Sequence, residues 1–191
     1  MNIRAMRGGL RGDDPYARLP RVAEFGVSSG TVGDGEPWPV AQMHVSVGGG
    51  DVSPQLSWWG APEGTGSYAV TVLDVDAPTG SGFWHWVVAG IPAAVTELPE
   101  GAGDEAGSGL PERAYQLRND IGEARFMGAA PAAGSGPDRY FVVVHALDVE
   151  DIGVPADSTP GWLGWVMSTH VLGRAILVAT AEIPAPAEGG T

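Results

Sequence analysis

Residues 67–92 contain two strand-like segments that flank a loop of Asp, Pro and Gly residues. Ser67–Asp74 alternates aromatic and β-branched residues with other small or apolar ones, which is typical of a strand. Phe83–Ile91 is apolar at both odd- and even-numbered positions, as in a strand buried on both faces. Antiparallel pairing of the two would bring Asp74 and His85 to the same end of a sheet.

The rest of the chain has the same β-rich character. Strands are predicted at Gln55–Trp59, Arg139–Leu147 and Ala175–Ile183, with shorter ones between Val22 and Val47. A helical pattern is confined to Gly161–Leu172, in which Trp162 and Trp165 are expected to be core residues or a dimer contact. Many short strands with one late helix predict an all-β-dominated sandwich.

Length and composition favour one domain. A chain of 191 residues supports a single core. Residues 1–18 are polar and patternless and are interpreted as an N-terminal arm, either lying over the domain or disordered. The domain is expected to cover residues 19–183, and 184–191 form a Pro-rich tail.

Charge and motif content argue against several classes of function. The net charge of −13, with ten scattered Lys and Arg residues, disfavours nucleic acid as a partner.

Neither a secretion signal nor a membrane span is apparent, so a cytoplasmic location without integral membrane association is expected. The four histidines are far apart, and the chain has no cysteine, so no metal site is predicted. No nucleotide-binding motif occurs, and no cofactor is expected.

Asp74 and His85 allow two interpretations. A carboxylate beside an imidazole raises the imidazole's pKa and orients its tautomer, which suits anion binding or proton transfer. However, an Asp at a strand end is commonly a turn former, and a His among tryptophans is commonly a core residue. On spacing alone, the structural interpretation is favoured.

Four segments, in order along the chain, carry a family resemblance: SPQLSWWGAP, DVDAPTGSGFWHWVVAGIP, RNDIG…RFMGAAPAAGSGPDRYFVVVHALD and STHVLGRAILVAT. Together they resemble the bacterial branch of the phosphatidylethanolamine-binding (Raf kinase inhibitor-like) proteins, from about Leu19 to Glu182. The resemblance implies a Greek-key sandwich of two antiparallel sheets with one or two short helices. It also implies a small-molecule ligand and, as in many bacterial relatives, a homodimer.

The resemblance further implies a pocket that takes phosphate, phospho-headgroups and similar small anions. By position in the family motifs, its ligand-binding residues here are Asp74, Trp84, His85, Phe126, Gly128, Pro131, Ala132, Asp138 and Tyr140.

The pocket motifs depart from the family pattern at several positions. Asp138 stands where the family has a histidine, Phe126 where it has a tyrosine, and Val75 and Ala132 where it has prolines. A carboxylate in place of a potential cation removes a donor to phosphate and adds repulsion. The ligand is therefore expected to be neutral or cationic, or the pocket to carry out acid–base chemistry.

Two functions follow. In the first, the protein is a non-catalytic binding module with Asp74, His85 and Tyr140 as ligand contacts. In the second, it is an enzyme of specialised metabolism, a cyclase, isomerase or dimerising enzyme. In that enzyme His85 would shuttle a proton, Asp74 would orient His85, and Asp138 or Tyr140 would act as the second acid or base.

Overall fold

The computed structural model describes residues 14–186, which form two sheets and one α-helix. The strands are β1 Ala23–Glu24, β2 Gly26–Ser28, β3 Leu56–Trp59, β4 Ser67–Asp74, β5 Phe83–Pro92, β6 Glu97–Leu98, β7 Tyr115–Gln116, β8 Asp138–Leu147 and β9 Val171–Ala181, and the helix is α1 Pro160–Met167. The β-dominated fold class is confirmed.

The larger sheet has six strands in the order β1-β9-β8-β4-β5-β7, and the smaller has three in the order β2-β3-β6. All neighbouring strands are antiparallel except β1, which pairs parallel with β9. The expectation of two antiparallel sheets is therefore wrong for this one edge pair. Only Phe25 separates β1 from β2, so a single extended segment contributes one strand to each sheet.

The main core lies between the two sheets. The Trp58 ring of β3 packs against the Tyr68 ring of β4 with centroids 5.4 Å apart. A second cluster lies on the other face of the large sheet, where Leu163 and Met167 of α1 cover Val87 and Leu147. Every residue of β4 and of β8 is buried, because these central strands are covered on both faces. They provide a rigid base for side chains at their ends.

The helix differs from its prediction in length and orientation. It ends at Met167, because Val171 already pairs with β8 as the first residue of β9. The Thr159 side chain caps it by accepting a hydrogen bond from the Trp162 backbone N–H. Trp162 and Trp165 are 51% and 72% exposed, so their predicted core role is wrong. Their role as a dimer contact, like the homodimer itself, stays a prediction.

Short 3₁₀ turns stand at Val40–Gln42 and Val45–Val47, where short strands were expected. Another, Pro15–Arg18, belongs to the predicted N-terminal arm, and its Tyr16 ring lies 6.0 Å from the ring of Phe141 on the outer face of β8. Residues 1–13 of the arm and 187–191 of the tail lie outside the described residues. Within residues 14–186, no helix is long and apolar enough to cross a bilayer.

Candidate ligand-binding site

A β-bulge in β5 places His85. Asp74 of β4 pairs with Phe83 and Leu73 with Trp84, but Val72 pairs with Trp86, so His85 is the extra residue on β5. A bulge breaks the strict alternation of faces and redirects one side chain. Phe83 and His85, two residues apart, face the same cavity with ring centroids 4.9 Å apart, and the bulge lets the next residue, Trp86, face the core on the same side of the sheet.

The neighbouring strand β8 adds two more polar groups. Tyr140 lies directly opposite Asp74 in the β4–β8 register, and Asp138 lies two residues earlier. Residues two apart on a strand share a face, so the side chains of Asp74, Asp138 and Tyr140 are on the same side of the sheet. Two carboxylates and a phenol therefore converge at this sheet end.

These side chains line a cavity of about 230 Å³. Its lining consists of Asp74, Ala77, Pro78, Thr79, Phe83, His85, Met127, Ala130, Pro131, Ala132, Asp138 and Tyr140. Six of the nine residues expected at the pocket from sequence are among them: Asp74, His85, Pro131, Ala132, Asp138 and Tyr140. Whether they bind a ligand stays a prediction.

The other three expected residues do not line the cavity. Trp84 packs against the cluster on the α1 side of the sheet. Phe126 is buried in the main core with its ring 6.1 Å from that of Trp86. Gly128 donates its N–H to Asp51 at 2.8 Å, and a Cβ there would lie 2.3 Å from the Met43 carbonyl carbon, so its role is close packing.

Sequence reasoning missed half of the lining. Ala77, Pro78 and Thr79 belong to the loop after β4, which folds over the cavity. Gly82 ends this loop with a φ of +78°, and a Cβ there would lie 2.6 Å from the Asp74 carbonyl oxygen, so only glycine fits. Phe83 could have been predicted, because it is two residues from His85 and such residues share a face of a strand.

Asp74 is held by its own loop. Its Oδ1 accepts hydrogen bonds from the backbone N–H groups of Asp76 at 2.9 Å and Ala77 at 3.0 Å. Burial nevertheless raises its pKa to about 6, and the nearby charge of Asp138 adds to the effect. Asp74 is therefore a carboxylate that titrates close to neutral pH.

Asp76 lies two residues further on and faces Arg139. Its Oδ2 is 2.7 Å from Arg139 Nε and 3.0 Å from the Arg139 backbone nitrogen, and its Oδ1 is 2.9 Å from Nη2. Both side chains are buried. This bidentate pair ties the loop after β4 to the start of β8, and so positions Asp74 against Asp138 and Tyr140.

His85 does not form the predicted pair with Asp74. Its Nδ1 lies 2.8 Å from the Met127 carbonyl oxygen, which accepts only, so Nδ1 carries the proton. Burial lowers its pKa to about 4, against the raised pKa expected from sequence. His85 is thus a neutral imidazole at pH 7, because desolvation outweighs its interactions with the Met127 and Gly128 backbone and with Asp51.

The Tyr140 hydroxyl is the unusual group of the cavity. The residue is 1% exposed, and its ring lies 5.1 Å from that of His85. Its hydroxyl makes no hydrogen bond of normal geometry with any described residue, although it lies close enough to the Asp74 carboxylate to interact with it. Burial and the charges of Asp74 and Asp138 raise its pKa, so it stays a phenol with a proton to donate. An unsatisfied buried hydroxyl costs about 1–3 kcal/mol, which suggests that a bound molecule completes the site.

A larger, polar cleft of about 550 Å³ lies elsewhere, lined by Glu105, Gln116, Arg118, Gly122, Glu123, Ala124, Arg125, Ala156 and Asp157. It contains neither Asp74 nor His85. The smaller cavity is the better candidate because buried polar groups with shifted pKa values converge there. No group of three or more His, Asp or Glu side chains within residues 14–186 is arranged to hold a metal ion.

Comparison with known proteins identifies the family. The sequence pattern of the phosphatidylethanolamine-binding proteins matches residues 28–182. YbcL of Escherichia coli is 44% identical over 165 residues, covering 85% of this chain and 90% of that protein. YbhB of the same organism is 41% identical over 151 residues, covering 76% and 92%.

Solved structures agree. The crystal structure of E. coli YbcL, described as a member of the mammalian PEBP family, is 45% identical with a TM-score of 0.81, covering 84% of this chain and 99% of that one. The PEBP homologue CT736 of Chlamydia trachomatis is 26% identical with a TM-score of 0.67, covering 83% and 97%. The chain belongs to the phosphatidylethanolamine-binding protein family.

Proposed function

We propose that the protein reversibly binds a small organic molecule in the cavity at the ends of β4, β5 and β8. The observation that carries this proposal is the convergence of buried polar side chains on one cavity: Asp74, Asp138 and the Tyr140 hydroxyl, which makes no hydrogen bond of normal geometry with a described residue. Buried polar groups of this kind are stabilised when a ligand supplies a well-formed hydrogen bond. Membership of a ligand-binding family supports the same function.

Inorganic phosphate is disfavoured as the ligand. Asp74 and Asp138 both line the cavity, and none of the lining residues is Lys or Arg. His85 is neutral at pH 7 and supplies no positive charge. A phosphate would therefore meet two carboxylates and no cationic partner.

Native mass spectrometry of the purified full chain tests the binding function directly, since it detects a copurified small molecule.

Phosphate titration by calorimetry tests whether Asp138 disfavours phosphate. We expect wild-type protein to bind phosphate weakly and Asp138→His to bind it about tenfold more tightly, because a donor replaces a repulsive charge. Glu63→Gln is the matched control, an exposed acid that precedes β4 at the opposite end of the strand from Asp74. Equal phosphate affinity in wild type and Asp138→His would contradict the account.

A second candidate function is acid–base catalysis, and one observation favours it. The pKa of Asp74 is about 6, near the value that suits a general base at neutral pH. In this case Asp74 takes the proton and Tyr140 donates one, whereas His85 is too weakly basic for the shuttle role expected from sequence. Incubation with a metabolite extract would reveal a compound consumed by wild-type protein and not by Asp74→Asn. If wild-type protein and Asp74→Asn consume the same compounds, Asp74 is not the base.

A further inference from the structure

We propose that the polar cleft beside β7 is a second ligand site, and that it binds a short peptide through its free carboxylate and its free ammonium group. This cleft shares no lining residue with the cavity that contains Asp74, so the two sites are separate. The inference follows from the size of the cleft, from the way its walls are fixed and from the unpaired charges that line it.

The size of the cleft suits a molecule of two or three amino-acid residues. Its volume of about 550 Å³ lies within the roughly 300–1,000 Å³ that ligand sites occupy. It is more than twice the volume of the cavity that contains Asp74, which is about 230 Å³. A dipeptide or tripeptide therefore fills this space better than a single amino acid.

The floor of the cleft is fixed by Gln116 of β7, which is 8% exposed. Its Oε1 accepts a hydrogen bond from Trp86 Nε1 at 2.7 Å, and its Nε2 donates to the Asp104 carbonyl oxygen at 2.8 Å. Both ends of the amide are thus engaged inside the protein. The side chain does not turn into the cleft and close it.

The wall that follows β7 is a loop built around Asn119, which is 4% exposed. Its Oδ1 accepts hydrogen bonds from the backbone N–H groups of Ile121 at 3.2 Å and Glu123 at 3.0 Å. Its Nδ2 donates to the Arg125 carbonyl oxygen at 3.1 Å. Arg118 directly precedes Asn119, so it stands on a preformed support, which lowers the entropy lost on binding.

Arg118 is the cationic group that a ligand can reach. Its guanidinium has five N–H donors, and its one hydrogen bond to a described residue goes from Nη1 to the Gly122 carbonyl oxygen at 3.0 Å. No acid among residues 14–186 forms an ion pair with it. Arg125, the other arginine of the cleft, is already bound to Glu123 at 2.5 Å and Asp51 at 3.2 Å. Arg118 can therefore hold a carboxylate through two parallel N–H groups.

Glu105 and Asp157 supply the opposite charge. Glu105 lies between β6 and β7, Asp157 lies between β8 and α1, and both line the cleft. Neither side chain pairs with a cation in the described part of the chain. A peptide with free ends satisfies charges of both signs, whereas a simple anion or a simple cation meets repulsion from one of them.

NMR titration of the isotope-labelled full chain with four forms of one dipeptide tests the proposal. The forms are dialanine, N-acetyl-dialanine, dialanine amide and N-acetyl-dialanine amide. We expect dialanine to bind and to shift the backbone amide signals of residues 118–125 and 156–157. Each cap removes the charge of one end from a partly exposed ion pair, so each singly capped form should bind about threefold or more weakly than dialanine.

Variants of the charged groups assign each end of the peptide. Arg118→Gln should weaken the binding of dialanine and leave that of dialanine amide, which has no carboxylate, unchanged. Glu105→Gln combined with Asp157→Asn should weaken dialanine and should not weaken N-acetyl-dialanine, which has no ammonium group. Arg21→Gln and Glu63→Gln are matched controls outside the cleft, and both should bind dialanine like wild type. All five side chains are exposed, so these substitutions leave the fold intact.

The zwitterion inference is wrong if all four forms bind equally, or if the crossed pattern of variants and caps is not observed. Shifts confined to residues outside the cleft would overturn the site itself. Neither dialanine nor trialanine shifting any signal at about 10 mM, where a site of millimolar affinity is mostly occupied, would also overturn it. None of these results changes the binding function proposed for the cavity that contains Asp74, which has its own test.

Discussion

Asp74 and Asp76 are two residues apart in one loop, yet their surroundings are opposite in character. Asp76 binds Arg139 through both carboxylate oxygens, and the two side chains are buried together. Asp74 accepts hydrogen bonds from two backbone N–H groups and faces Asp138 and the Tyr140 hydroxyl across the cavity. One carboxylate is paired with a guanidinium, whereas the other is held by neutral donors.

The first carboxylate holds the fold together, and the second is available to a ligand. A buried ion pair with complete hydrogen bonding fixes the loop, and its removal leaves an uncompensated charge. A buried carboxylate that lacks a cation has a raised pKa and destabilises the ionised protein. Removing each charge should therefore change stability in opposite directions.

The largest effect is expected for Asp76→Asn. This substitution leaves the Arg139 guanidinium buried without its carboxylate, and the free energy of unfolding should fall by about 3–5 kcal/mol. Urea denaturation at pH 7 measures the loss. Adding Arg139→Met should recover part of it, because no unpaired charge then remains. A loss below about 1 kcal/mol would show that the pair does not hold the loop.

Asp74→Asn should stabilise the protein instead. Because the folded-state pKa is about 6 and the unfolded-state value about 4, ionisation of Asp74 costs folding free energy as the pH rises through 6. Asparagine keeps the acceptor for the Asp76 and Ala77 N–H groups but carries no charge. The variant should be about 2–3 kcal/mol more stable than wild type at pH 8, and this gap should close near pH 4. A gap that does not change with pH would contradict the raised pKa.

The smallest effect is expected for Tyr140→Phe. Removing a buried hydroxyl that makes no hydrogen bond of normal geometry with a described residue should change the unfolding free energy by less than about 1 kcal/mol. Thermal denaturation without ligand measures this change. A clear destabilisation would mean that the hydroxyl is already satisfied in the free protein. The comparison would then hold for the carboxylates alone.

Much of the fold could be predicted from local patterns. Ser67–Asp74 was predicted with the observed bounds, because β-branched alternation and the following Asp and Pro mark both its nature and its end. The two-residue strands β6 and β7 carry no such pattern, since pairing with longer strands alone makes them extended. The helix was predicted too long because Val171 joins β9 through tertiary pairing, which overrides local preference.

The candidate site was less predictable. Its juxtaposition of Asp74 and His85 at one sheet end was expected from strand pairing, but the bulge that puts His85 and Trp86 on the same side of the sheet was not. The run Phe83–Ile91 is apolar at both parities, so its sequence contains no sign of where the alternation slips. The low pKa of His85 was missed for a similar reason, because burial and the Met127 carbonyl depend on distant parts of the chain.

Asp74 is a buried carboxylate that faces Asp138 and Tyr140 in the cavity and has a raised pKa. Carbon-detected NMR titration of the aspartate carboxyl groups in the free protein measures this pKa. The Asp74 signal should titrate near pH 6, because burial disfavours the charged form, and it should be absent from the spectrum of Asp74→Asn. An Asp74 signal that titrates near pH 4 would show that burial does not disfavour the ionised form.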